Sequence, residues 1–210
     1  MNKPQLLLVG AGGHALACID VIEQENRYHI IGLIGLAHEL ATRRLGYEVV
    51  GTDADLAGLV RTCDCALVTI GQIKSAAVRT AMFQRLQQLG VKLPIIISPQ
   101  AYVSPHAKLG AGTIVMHGAI INAAASVGDN CIINSHALVE HGAQIGSHSH
   151  LATGAIINGD ACVGEATFIG SGAVVREGVR IGNNCVIGMG QMVRADCADG
   201  SWVLAGKETQ

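Results

Sequence analysis

The chain has 210 residues and a formal net charge of −2, without the basic footprint that nucleic acid demands. Half of its residues are hydrophobic, yet only 3 % are aromatic and 27 are glycine, which implies an interior too narrow for rings. Its seven cysteines, an odd number with no C-x-x-C pair, fit neither a disulfide framework nor a zinc ribbon and are expected as buried free thiols.

In chain order, residues 5–10 form an apolar strand that runs into the turn Gly10-Ala11-Gly12-Gly13-His14. The apolar run from Leu6 to Val9 is far too short for a membrane span or a signal-peptide core, so a soluble cytoplasmic protein is expected. A helix over 15–24 follows, then strands over 29–34 and 65–70, a helix over 75–89 and a strand over 93–97. Alternating strands and helices predict a small Rossmann-like α/β domain with a parallel sheet over residues 1–98. Glycines between the first strand and helix let backbone N–H groups approach a phosphate, which makes Gly10, Gly12 and Gly13 candidate binding residues. A nicotinamide-binding domain would usually carry an acid at the end of the second strand; this chain has Ile34-Gly35, which argues against such a cofactor.

From Val103 to Val193 every sixth residue is Val, Leu or Ile. Four residues after each anchor lies a second register that is small throughout except at Val179 and Gln191, and that includes Cys131, Cys185 and Cys197. A period of six is neither that of a helix nor that of a hairpin sheet. It predicts a coil of short strands, three to a rung, whose rungs stack in parallel about 4.8 Å apart. The coil is expected over residues 99–197, followed by a C-terminal tail over 198–210. Gly after the anchor, as in Ile145-Gly146 and Val163-Gly164, is expected to serve the corners through its conformational freedom.

Six histidines lie in the coil: His106, His117, His136, His141, His148 and His150. Acyl transfer needs a base active near neutral pH, and histidine suits it. With eighteen residues to a rung, His141 stacks on Gly159 and Gly142 on Asp160. The carboxylate of Asp160 is then a candidate to orient the imidazole, with Glu140 a second candidate, and Gly159 leaves a backbone N–H open to substrate.

The turn Val9 to His14, the strand end Ile70-Gly71, and the segments Ile133-Asn134-Ser135 and Val139-Glu140-His141 resemble the bacterial hexapeptide-repeat sugar acetyltransferases of the bacillosamine, perosamine and sialic-acid pathways, over nearly the whole chain. The resemblance implies a left-handed parallel β-helix, acetyl-CoA as co-substrate with no metal, and a homotrimer with active sites between subunits. It implies His141 as general base, Asn134 and Gly71 near the substrate, and His14 at the nucleotide. His150 is implied at the acetyl-CoA thioester, with Gly170 and Gly188 as backbone contacts for the cofactor. The activity implied is N-acetylation of a nucleotide-linked amino sugar of the 4-amino-4,6-dideoxy type, for surface-polysaccharide or glycan synthesis. Many members follow the base with an acid where this chain has Gly142, which is why Asp160 is considered. Related chains also close with a Gly-x-Pro-Ala-Lys loop, which residues 203–207 match only in part.

Three other functions are weighed. The stretch Glu140-His141-Gly142 is similar to sialic-acid O-acetyltransferases, which would move the acetyl group to a hydroxyl. His136 and His141 resemble two of the three zinc ligands of a coil-type carbonic anhydrase, but the third position holds Gln100. A non-catalytic trimeric scaffold would leave the fused N-terminal domain without a purpose.

Overall fold

The computed structural model of the chain describes residues 3–204, so residues 205–207 of the partly matching C-terminal loop lie outside the described residues. In β1 (Gln5–Val9) the four residues after Gln5 are all buried, as expected of a strand covered on both faces. The chain continues through α1 (Gly13–Glu25), β2 (His29–Ile34), β3 (Arg43–Arg44), β4 (Tyr47–Gly51), the short α2 (Leu56–Leu59), β5 (Cys65–Val68) and α3 (Ala77–Gln88). The sheet order is β3-β4-β2-β1-β5, parallel except for the antiparallel edge pair β3–β4. That edge hairpin has no counterpart among the strands read from sequence, because β3 has only two residues and neither arm is continuously buried.

Helices cover both faces of this sheet. Leu7, Val9, Ala66 and Val68 pack under Leu56, Val60, Phe83 and Leu86. On the other face Leu6 and Leu8 meet Ala15, Cys18, Ile19 and Ile22 of α1, and the same cluster takes in Ile114, Met116 and Ile132 of the coil. Helix α1 is therefore wedged between the sheet and the coil. Burial of that apolar face joins the two parts of the chain. Arg79 of α3, only 2 % exposed, adds a polar clamp: its Nη2 donates to the carbonyls of Asn130 and His148 at two coil corners.

The strand expected over 93–97 belongs to the coil instead. Ile96–Ile97 (β6) pairs in parallel with Ile114–Val115, and the N-terminal sheet receives only an isolated bridge between Cys65 and Lys92. Ile97 stands six residues before Val103, in phase with the repeat, so its inward side chain finds the coil core. Two-residue strands then recur from Tyr102–Val103 to Trp202–Val203 in three parallel sheets, and the ladder takes in residues on either side of 99–197. Pairs such as Ile120↔Leu138 and Ser126↔Gln144 are eighteen residues apart, one full rung.

The anchors from Val115 to Val193 form one buried column, with Val103 and Leu109 partly buried at its start. The small register packs beside it. At one corner it becomes a polar ladder: the Thr113 hydroxyl donates to the Gly128 carbonyl (2.8 Å) and accepts from the Cys131 N–H (3.0 Å). Ser149 and Thr167 repeat this two and three rungs on from Thr113, each hydroxyl donating to the carbonyl of Gly164 or Gly182 and accepting the N–H of Thr167 or Cys185. The buried hydroxyls are thereby satisfied, as buried polar groups must be. Cys131 and Cys185 occupy the same column as free thiols, and packing explains them.

The glycines after the anchors serve a purpose other than the one expected. A Cβ at Gly146 would lie 2.6 Å from the Glu165 N and Gly164 C of the next rung, so space and not dihedral freedom excludes a side chain there. The left-handed residues fall at other turn positions and include Asn130, His136, His148 and Asp160 as well as Gly142.

Candidate active site

Gly10 adopts φ +122°, and a Cβ there would stand 2.6 Å from Ile70 Cγ1 and 2.9 Å from Ile70 N, so the chain turns tightly against the end of β5. At Gly12 and Gly13 a Cβ would meet nothing within 4 Å, so these residues leave open space in front of α1. No side chain caps this 13-residue helix, and its first N–H groups carry the positive end of the helix dipole. These glycines, with His14, Gly71, Ile34 and Ile70, line a cavity of ≈ 400 Å³ at the C-terminal ends of β1, β2 and β5. That is the crevice in which an open α/β sheet binds its ligand. Two carboxylates that the sequence did not single out, Glu39 and Asp53, also line it.

His14 connects this cavity to the coil. Its ring centroid lies 6.2 Å from that of His150, and its Nε2 is 3.3 Å from Cys18 Sγ. His150 is 7 % exposed and its Nδ1 is 2.8 Å from the Gln72 carbonyl, an acceptor only. Nδ1 therefore carries the proton, and Nε2 accepts from Asn134 Nδ2 at 3.3 Å. Burial, opposed by the Gln72 bond and helped by the charge of Arg79, lowers the His150 pKa to about 4. Burial first, then His150 and Arg79, lowers that of His14 to about 3. Both rings are neutral near pH 7 and act as hydrogen-bonding and packing groups. Nothing in the sequence marked Gln72, whose contribution is a backbone carbonyl.

His141 is exposed at the corner that follows Leu138–Val139, and its ring lies directly on Gly159. A Cβ at Gly159 would be 2.7 Å from Cε1 and 2.9 Å from Nε2 of that ring. Among the described residues the Gly159 N–H makes no hydrogen bond, while the Gly159 carbonyl accepts from Gly178. Asp160 stands on Gly142, where a Cβ would overlap its Oδ1. The rung arithmetic thus brings both pairs together. Among the described residues no hydrogen bond joins the Asp160 carboxylate to the His141 ring; the two residues share a backbone bond, Asp160 N–H to the His141 carbonyl at 3.0 Å. Glu140 Oε2 accepts from Asn122 Nδ2 (2.9 Å) and from the His141 N–H (3.2 Å), which fixes the backbone of His141 and leaves its imidazole alone.

At Gly170 and Gly188 the N–H groups are taken up by the carbonyls of Ile187 (2.8 Å) and Val203 (2.7 Å), and both glycines sit under the next turn of chain. The structure does not bring all the candidates into one cluster. His14, His150, Asn134 and the glycine turn form one group where the N-terminal domain meets the coil, whereas His141, Gly159 and Asp160 lie on the next corner of the coil.

Three family descriptions match the chain: PglD N-terminal domain over residues 5–86, hexapeptide repeat of succinyl-transferase over 124–158, and bacterial transferase hexapeptide (six repeats) over 163–190. No curated protein matches the chain. Among solved structures, PerB from Caulobacter crescentus, solved with CoA and GDP-perosamine, is 32 % identical. It superposes with a TM-score of 0.89, and the match covers 96 % of this chain and 94 % of PerB. The chain belongs to the bacterial hexapeptide-repeat sugar acetyltransferases. The acetyltransferase domain of PglB from Neisseria gonorrhoeae, solved also with acetyl-coenzyme A, is 28 % identical with a TM-score of 0.89 and 99 % coverage of both chains. WeeI from Acinetobacter baumannii, 20 % identical with a TM-score of 0.82 over 96 % of this chain and 97 % of WeeI, shares the fold.

As a member of this family the protein is an acetyltransferase that uses acetyl-CoA, and its coil is a left-handed parallel β-helix. Among the described residues no three His, Cys, Asp or Glu side chains are grouped to hold a metal ion, and His136 and His141 sit on successive corners. No helix among them is long and apolar enough to cross a membrane.

Proposed function

We propose that this acetyltransferase acts on the amino group of a nucleotide-linked amino sugar, of the 4-amino-4,6-dideoxy type, with His141 as general base. The observation that carries the reading is the pairing, in one chain, of a cavity at the N-terminus of α1 with an exposed imidazole packed on Gly159, whose N–H makes no hydrogen bond among the described residues. The match to PerB, whose structure holds CoA and GDP-perosamine, spans both features. A setting in surface-polysaccharide or glycan synthesis in the cytoplasm suits these substrates.

The neutral sugar amine attacks the thioester carbonyl, forming the C–N bond while the carbonyl electrons move onto oxygen. His141 takes the proton that the nitrogen sheds. The tetrahedral intermediate then expels the thiolate of CoA, which recovers a proton from the imidazolium. The Gly159 N–H stabilises the oxyanion; loss of one such donor typically costs about 3 kcal/mol in the barrier. Glu140 holds the backbone of His141 through the His141 N–H, and Asp160, bonded through its own N–H to the His141 carbonyl, is the residue assigned to orient the base. Asn134, backed by His150, faces the acceptor sugar or the thioester, while Gly10, Gly12, Gly13, His14 and Gly71 hold the nucleotide.

The site is completed between subunits of a homotrimer. One chain holds its nucleotide cavity and its His141 on different corners, so a neighbouring coil supplies the imidazole. The outward row Tyr102, Ile120, Leu138, Ile156, Val174 and Met192 is apolar, whereas the equivalent row of the next sheet reads Lys108, Ser126, Gln144, Cys162 and Arg180. Such a stripe on a coil face suits contact with further copies.

The test is CoA release measured against a panel of amino-sugar nucleotides and free sialic acid. The expected acceptor is a nucleotide-linked 4-amino sugar, and His141→Ala is expected to lose about 100-fold or more of kcat. Acetylation of free sialic acid alone would replace this reading with O-acetyl transfer. Near-normal turnover of His141→Ala at saturating substrate would remove His141 as the base.

A further inference from the structure

In a nucleotide-binding α/β domain the ribose hydroxyls are usually held by an acid at the end of the second strand. Here that strand ends in Ile34 and is followed by Gly35. The fold brings a carboxylate to the same place from elsewhere. A Cβ built on Gly35 would lie 2.9 Å from Glu39 Oε2, so the Glu39 carboxylate already stands where a side chain of residue 35 would project. Glu39 reaches this point from a single 3-10 turn, Ala37–Glu39, and lines the cavity. Both of its oxygens are fixed: Oε2 accepts from the Leu36 N–H at 2.9 Å and Oε1 pairs with Arg44 Nη2 at 2.9 Å. Arg44 is itself tied through Nε to the Ala11 carbonyl (2.7 Å), within the glycine turn. The carboxylate is thus pre-positioned against the cavity wall by two separate elements.

The Leu36 N–H and then the Arg44 guanidinium hold the Glu39 carboxyl below the usual carboxylate range, so the group is ionised near neutral pH. An ionised carboxylate only accepts hydrogen bonds, and each oxygen keeps a lone pair beyond the bonds described. Its ligand must therefore present donors, and a vicinal diol presents two. Phosphates, repelled by this charge, are left to the opposite side of the cavity at the N-terminus of α1.

We propose that Glu39 accepts hydrogen bonds from the 2′ and 3′ hydroxyls of the ribose, so that the enzyme selects ribonucleotide-linked sugars over their 2′-deoxyribonucleotide-linked counterparts. This rests on the nucleotide cavity proposed above and names the class of nucleotide it takes. A side chain at Gly35 would meet the Glu39 carboxylate and Val49 Cγ1, each at 2.9 Å, and Ala11 Cβ at 3.1 Å, which accounts for glycine at a strand end where an acid is usual.

Isothermal titration of the full chain with GDP, UDP and their 2′-deoxy counterparts tests the proposal. Each ribonucleotide is expected to bind about tenfold or more tightly than its deoxy form. In Glu39→Gln the ratio should fall to about twofold or less, with the affinity for the deoxy form nearly kept. Glu39→Asp, which withdraws the carboxylate by one methylene, should fall between the two and serves as the second variant if Glu39→Gln does not fold. Equal affinity of the wild-type protein for ribo and deoxy forms, or a ratio that survives in both variants, would overturn the diol contact and leave the nucleotide cavity standing. Failure of all four ligands to bind would overturn the cavity assignment and the diol contact together.

Discussion

At the scale of single residues, the contact between His141 and Gly159 ties the position of the candidate base to the next rung of the coil. Gly159 does not adopt a left-handed conformation; it is glycine because an imidazole lies where its Cβ would go. Alanine there would displace an exposed ring without straining the backbone. Gly159→Ala should therefore lower kcat by about 10- to 100-fold, as expected when a base is displaced from a near-attack position, while shifting the thermal midpoint little. Steady-state kinetics beside a melting curve checks this, and unchanged kcat would show that the ring position is irrelevant to turnover. This pair is legible in the sequence because a period of six in a three-sided coil makes stacking a matter of adding eighteen. Side-chain direction is not legible in the same way. Glu140 turns toward Asn122 one rung back, and the Asp160 carboxylate stands over Gly142, because local hydrogen bonds and available space decide where a polar side chain points.

At the scale of elements, the contact between α1 and the coil carries two histidines that are kept neutral by burial. In the folded chain they take up protons only near pH 3 for His14 and near pH 4 for His150, against about 6.5 when the chain is unfolded. Below pH 6.5 the unfolded state binds more protons than the native one, so stability falls as the pH falls. Their contribution is complete above about pH 6.5 and is lost progressively down to about pH 4 for His150 and about pH 3 for His14. Urea-unfolding midpoints at pH 8, 6 and 5 should decline in that order, and His14→Leu should flatten the slope. A midpoint constant over this range would contradict the burial of both rings. Elements with strong periodicity, α1 and β2 among them, are legible within a residue or two. Ile96–Ile97 is not, because a short apolar strand suits either core, and only its phase with Val103 assigns it to the coil.

At the scale of the whole molecule, the proposed inter-subunit site rests on the apolar outward row and on the placement of His141 on a different corner from the cavity at α1. Ile156→Glu places a charge in the middle of that row without touching the coil core. It should yield a folded protomer with unchanged circular dichroism, a sedimentation coefficient below that of the wild-type assembly, and activity reduced by about 100-fold or more, since no chain would complete its own site. A wild-type particle that sediments as a monomer with full activity would end the inter-subunit site.

The hexapeptide period, the α/β start and the His141–Gly159 stack were determined by the sequence alone, because each follows from spacing and side-chain size along one chain. The tertiary structure alone decided that the Glu39 carboxylate lies beside Gly35 in the cavity wall, that the Gln72 carbonyl sets the tautomer of His150, and that Arg79 clamps α3 to the coil. The physical reason is common to all three. Each depends on which polar group a turn or corner delivers to a neighbour distant in sequence, and hydrophobic periodicity carries no information about that.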